Sequence, residues 1–182
     1  FNGQHSGAMA YHAQRALAHD MIGISMTTGG VMAAPTNGAE KLLGLNPIGI
    51  AVPAEKEPPF IFDAAMSSVP NNKIRLLQRT GGQVLPGMIA DADGTPIMEE
   101  SPVPEDYLLL PLGGTRAMGS PKGFGLIMLV ETLTTLLAGT GAGPDRRGGM
   151  AHFFMALDVN GFFDAESLKQ DMDAYLSRFT NC

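Results

Sequence analysis

Gly113-Gly114-Thr115-Arg116-Ala117-Met118-Gly119-Ser120-Pro121-Lys122-Gly123-Phe124-Gly125 is the stretch on which the reading of the fold turns. It is a glycine-rich loop carrying two cations, Arg116 and Lys122, and it leads into an apolar run, Gly123 to Ala138, that reads as a buried helix. A helix start exposes N–H groups and the positive end of a dipole, so the loop is a candidate pyrophosphate cradle. Two common nucleotide-binding patterns fail on it. A P-loop needs lysine directly after its second glycine, and the residue after Gly119 is Ser120. The dinucleotide fingerprint needs G-x-G-x-x-G between a strand and a helix, which the loop does not supply. The plainer alternative is a flexible loop with a solvated lysine.

Working outward, alanine-rich residues 7–20 predict a helix, and the apolar run Met21 to Met26 a buried strand. Pro47 to Pro53 reads as a strand bounded by prolines, and Phe60 to Ala65 as another. Asn71 or Asn72 could cap a helix through about Arg79, closed by Gly81-Gly82. Met88 to Ala92 is a short extended piece ended by an Asp93-Gly94 turn; residues 95–106 are an acidic, proline-rich connection. A strand over His152 to Asp158 and an amphipathic helix over Ala165 to Phe179 finish the chain. This order predicts an α+β fold: a mixed, largely antiparallel sheet flanked by helices, non-Rossmann, within a single domain over residues 1–182.

Composition narrows the function. Of 182 residues, 45% are hydrophobic and 16% charged, enough apolar material for a core and too much for a disordered chain. The net charge of −6 argues against a nucleic-acid partner, so a bound phosphate must be met by a few local groups. The apolar run ending at Ala138 is shorter than the ~20 residues of a membrane span and contains Glu131, so no membrane association is expected. The single cysteine, Cys182, leaves no intrachain disulfide, and the first residues lack a signal-peptide pattern; both fit a cytoplasmic protein.

Two further stretches invite chemistry. His5-Ser6-Gly7-Ala8 precedes the first helix, where small residues let a ligand approach and a histidine can contact phosphate or exchange a proton; it could equally be a cap near a chain end. Phe62-Asp63-Ala64-Ala65 places an aspartate at a strand end, suited to a hydroxyl or amide, or to capping the next turn. Asp91-Ala92-Asp93-Gly94 lacks the spaced oxygens of a calcium loop. His12, His19 and His152 form no metal-ligand spacing, so no metal is expected, and no nucleophile elbow is present.

Eight pieces occur in a shared order: His5-Ser6-Gly7-Ala8-Met9; Ile22-Gly23-Ile24-Ser25-Met26-Thr27; Ala34-Pro35 with Gly38; Gly44-Leu45-Asn46-Pro47; Phe62-Asp63-Ala64-Ala65; Lys73; Pro121-Lys122-Gly123-Phe124-Gly125-Leu126; and His152-Phe153-Phe154. In these the chain resembles the malate/L-lactate dehydrogenase family, oxidoreductases that bind NAD or NADP without a Rossmann fold, whose members include ureidoglycolate dehydrogenase and diketogulonate reductase. The resemblance implies hydride transfer between NAD(P) and a small 2-hydroxy or 2-oxo acid, in a homodimer. It implies that His5, Ser6, Gly7, Ala8 and Met9 line the cofactor, with His5 a proton acceptor. Gly29, Asp63, Ala64, Ala65 and Lys122 match further cofactor contacts, and Lys73 a catalytic position. Leu45 stands where the family usually has a substrate-touching threonine, which leaves the substrate open. The family also has N- and C-terminal segments, one bearing a proton-donor histidine, that are not found here, so the chain reads as the central cofactor-binding portion. A catalytically incomplete module acting through self-association is the alternative; a nucleotide-binding protein of another class rests on the glycine loop alone.

Overall fold

The computed structural model of the chain describes residues 2–182. Its elements, in order, are α1 (Met9–Ala13), a 3-10 turn (Gln14–His19), β1 (Ile22–Thr27), β2 (Ile48–Val52), β3 (Phe60–Ala64) and α2 (Asn71–Thr80). Then follow β4 (Gln83–Val84), β5 (Ile89–Ala90), β6 (Ser101–Pro102), β7 (Leu108–Leu109), α3 (Ser120–Glu131), a π-helical turn (Thr132–Leu136), β8 (His152–Leu157) and α4 (Ala165–Thr180). The fold is α+β, and every registered strand pair is antiparallel. An isolated parallel bridge joins Ala33 to Leu109. The chain divides into two compact units interleaved in sequence, each described by itself.

One unit comprises Ser6–Met26, Ile48–Ala64 and His152–Cys182. Its sheet runs in the order β3-β2-β1-β8. Two glycines, Gly23 of β1 and Gly49 of β2, let α1 lie directly on the strands: a Cβ on Gly49 would sit 2.5 Å from the Met9 carbonyl carbon and 2.7 Å from the Ala10 nitrogen. The predicted helix over 7–20 is therefore shorter, one α turn continued by the 3-10 turn, which closes on Asp20 in the left-handed region at φ 54°. The α4 helix is capped by Asp164, which accepts from Ser167 N at 2.8 Å. Farther along it, the Asp173 carboxylate accepts from three successive amides, Glu55, Lys56 and Glu57, at 3.0, 2.8 and 3.1 Å, and so fixes the β2–β3 connection. Lys169 joins Asp20 at 3.0 Å.

The other unit comprises the stretch ending at His5, Thr27–Pro47 and Ala65–Ala151. Its core gathers Ala34, Ala90, Leu108 and Leu110, with Ile89, Ile74, Val84, Ile127 and Val130 also buried. The α2 helix ends as expected on left-handed Gly81, φ 67°. Its N-cap is Pro70 rather than an asparagine; Asn71 instead accepts from the Tyr107 hydroxyl at 2.8 Å.

The helix after the glycine loop departs from the sequence reading. It starts at Ser120, after left-handed Gly119, and only one of its flanks is buried. Ile127, Val130 and Glu131 face inward, while Leu129 and, beyond the π turn, Leu137 are 45% and 70% exposed. The charged residue taken as an interruption of the apolar run is thus on the inside. Among the described residues no helix is long and apolar enough to cross a membrane.

Candidate functional site

Ser6, Gly7, Ala8, Met9, Asp63 and Ala64 belong to the sheet-bearing unit. The cap residue of α1 is Ala8, which has no side-chain acceptor. The missing cap comes from β3: Asp63 Oδ2 accepts from Ala10 N at 2.8 Å. The anion expected at this helix start is therefore the chain's own carboxylate. Met9 is held by Ser25, whose hydroxyl donates to the Met9 carbonyl at 2.6 Å, and Ser6 by His12, whose Nε2 donates to the Ser6 carbonyl at 3.0 Å. Between these anchors Gly7 adopts φ 78° with open space beside it, and Gly7 and Ala8 are exposed. The small residues therefore present a fixed, accessible edge.

Beside this edge His12 meets a pair of rings from β8, far from it in sequence. The His12 and Phe154 rings are 5.2 Å apart, and those of His152 and Phe154 6.1 Å. Burial holds the His152 imidazole below the usual histidine range, and the charge of His12 pushes it the same way.

His5, Gly29, Ala65, Lys73 and Lys122 belong to the other unit. Hydrogen bonds and close approaches link three of their neighbourhoods. Gly29 N donates to Asn46 Oδ1 at 3.0 Å, and a Cβ on Gly29 would lie 2.9 Å from Leu45 N. The Leu45 carbonyl accepts from Met66 N, next to Ala65, at 2.8 Å, and the Met66 carbonyl from Leu112 N at 2.9 Å. Gly123 lies so close to the Leu112 backbone that any Cβ would collide with it. Gly29, Ala65 and the start of α3 are so strung together. Lys73 stands outside this chain of contacts, exposed on the first turn of α2, and His5 is exposed. A recess of about 230 Å³ is lined by Ser68, Met88, Gly113, Gly114 and Met118 among others.

Several amides of the glycine loop bond to nearby carbonyls, while those of Gly113, Thr115, Arg116 and Ala117 are not among them. Gly114 N donates to Pro111 O, Gly119 N to Arg116 O, Ser120 N to Thr115 O and Lys122 N to Gly119 O, at 2.8 to 3.2 Å. The Ser120 hydroxyl pairs with Thr36 Oγ1 at 2.6 Å. Lys122 and Arg116 are both exposed, and neither forms an ion pair among the described residues.

One group escaped the sequence reading. Glu131, 4% exposed, accepts from Asn46 Nδ2 at 2.7 Å through one oxygen, and from Thr135 Oγ1 and Gly143 N at 3.0 and 3.1 Å through the other. Asn46, fully buried and left-handed at φ 43°, also donates to Ile127 O at 3.1 Å. Arg146 Nη1 donates to the Gly29 carbonyl at 3.0 Å. The signal available in the sequence was a lone carboxylate in an apolar helix, because a buried charge demands partners.

Among the described residues, no three His, Cys, Asp or Glu side chains are grouped so as to hold a metal.

The family model described as malate/L-lactate dehydrogenase matches residues 1–182. The chain is 35% identical over 176 residues to a malate dehydrogenase of Pyrococcus horikoshii, covering 93% of this chain and 49% of that protein. It is 35% identical over 136 residues to a ureidoglycolate dehydrogenase (NAD(+)) of Escherichia coli O157:H7, covering 74% and 36%. The solved structure of sulfolactate dehydrogenase from Methanocaldococcus jannaschii superposes with TM-score 0.86 at 31% identity, covering all of this chain and 52% of that one. The chain spans about half the length of the malate and sulfolactate dehydrogenases it matches in Pyrococcus and Methanocaldococcus. With its whole length matched by the family model and its fold shared with a solved member, the chain belongs to the malate/L-lactate dehydrogenase family.

Proposed function

We propose that the protein is an NAD(P)-dependent oxidoreductase moving a hydride between the nicotinamide and a small 2-hydroxy or 2-oxo acid of the malate/lactate kind. The observation that carries this reading is Lys122. It is exposed on the first turn of α3, with no carboxylate partner among the described residues, beside a glycine-rich loop. A side-chain cation so placed fits a dinucleotide's phosphates, with Arg116 as its neighbour in the loop. The relatives' names support the chemistry: one is a malate dehydrogenase, another a ureidoglycolate dehydrogenase using NAD(+).

The bound nicotinamide supplies or accepts the hydride. The chain's residues do the rest. Ser6, Gly7 and Ala8 offer the cofactor an accessible edge, backed by the buried Met9 and held by Ser25 and His12. Asp63, its Oδ2 engaged by Ala10, keeps Oδ1 for a ligand donor, with Ala64 and Ala65 leaving room beside it. Gly29 meets the cofactor through a backbone carrying no side chain. His5 and Lys73 handle the proton that accompanies hydride transfer. Leu45, with no hydroxyl to offer, favours a substrate whose adjoining substituent is apolar.

Incubating the intact protein with NADH or NADPH and either oxaloacetate or pyruvate tests this directly. Loss of nicotinamide absorbance is expected with at least one pair; none with any pair would contradict the assignment. The reading includes a homodimer, for which the exposed Met128, Leu129 and Leu137 supply apolar surface. Sedimentation at micromolar concentration should give twice the monomer mass.

A further inference from the structure

Glu131 is a buried carboxylate with no part in hydride transfer. It nonetheless occupies the centre of the hydrogen-bond network around Gly29. We infer that Glu131 is a positioning residue for the cofactor: it fixes the Asn46 amide, and through it the Gly29 peptide, in the geometry that the nicotinamide dinucleotide requires. This rests on the preceding assignment of Gly29 to the cofactor site.

The geometry leaves one orientation for each side chain. Thr135 Oγ1 and Gly143 N donate to Glu131 Oε1, so Oε2 is the oxygen offered to Asn46. Asn46 Nδ2 divides its two hydrogens between Glu131 Oε2 and Ile127 O. Its Oδ1 is thereby turned to the Gly29 amide, 3.0 Å away. Were the asparagine flipped, its NH2 would face the Gly29 N–H, donor against donor. The carboxylate thus decides which end of the amide Gly29 meets. Asn46 pays backbone strain for this place, left-handed at φ 43° with no exposed surface, and Arg146 grips the Gly29 carbonyl. A plain core role would be filled as well by an apolar side chain. A carboxylate whose two oxygens accept from Asn46, Thr135 and Gly143 instead specifies an orientation.

An exchange of donor and acceptor tests this. In Glu131→Gln, Thr135 and Gly143 retain the side-chain oxygen, so the new NH2 confronts the Asn46 NH2. In Asn46→Asp, two carboxylates confront each other. In the double variant the new amide donates to the new carboxylate and Gly29 N keeps its acceptor, while the Ile127 carbonyl loses its donor. With the intact protein, each single substitution should raise KM for NAD(P)H about tenfold or more with kcat within roughly threefold, and the double should have a lower KM than either single variant. Folded single variants with unchanged KM would overturn the inference, even if their melting temperatures fell, since a purely structural role lowers stability without that split. Should a single variant fail to fold, Arg146→Ala probes the same peptide from a surface turn, and an unchanged cofactor Kd there would overturn the inference. Wild-type protein that binds neither NADH nor NADPH would overturn the assignment of the site itself, and this inference with it.

Discussion

Asp63 Oδ2 accepts from the Ala10 amide at 2.8 Å across 53 residues of sequence, so the edge strand β3 caps the first helix. Ala8, at the cap position, has no group for this task. Asp63→Ala should lower the unfolding free energy by about 1 kcal/mol, the usual worth of a helix cap, whereas Asp63→Asn retains an acceptor and should cost less. Urea denaturation followed by circular dichroism measures both.

Gly49 is where α1 rests on the sheet. A methyl group there would approach Met9 and Ala10 backbone atoms at 2.5 to 2.8 Å, and backbone gives way less readily than a side chain. Gly49→Ala should destabilise the protein by roughly 1–3 kcal/mol, read as a lowered melting temperature. A wild-type melting temperature would contradict the helix-on-strand contact.

These two contacts show what the sequence could and could not convey. The strands β2, β3 and β8 and helices α2 and α4 were legible within a residue or two, because proline and glycine boundaries and periodicity are local signals. The length of α1 was not, since the glycines and the aspartate that shape it arrive from β1, β2 and β3. The exposed flank of α3 was illegible for a related reason: apolar content tells that a surface is to be covered, not by what. At the candidate site the loop around Lys122 was legible as a glycine-rich approach to a helix, but not that several of its amides bond to nearby carbonyls. Glu131 and Asn46 are paired 85 residues apart and left no spacing to read.

Lys122 carries the phosphate contact in the proposed site. Lys122→Ala should weaken NAD(P)H binding in the intact protein more than about tenfold, or about 1.4 kcal/mol, while leaving the melting temperature near wild type because the side chain is exposed. Unchanged affinity would remove that role from Lys122.

His152 sets a pH dependence. Its folded-state pKa lies below the ordinary 6.5, chiefly through burial. As the pH falls from about 6.5 towards that lower value, the unfolded chain takes up a proton that the folded chain does not, so stability is lost in that window and constant above it. His152→Gln should flatten this part of the profile in urea titrations run at successive pH values. A variant profile as steep as wild type would assign the slope elsewhere.

The central claim is that this fold holds a nicotinamide dinucleotide. Titrating the intact protein into NADH and, separately, NADPH while following nicotinamide fluorescence tests it most directly. Saturable binding of at least one of them, weakened by Lys122→Ala, is the predicted result; no change in fluorescence or affinity signal with either cofactor would contradict the account.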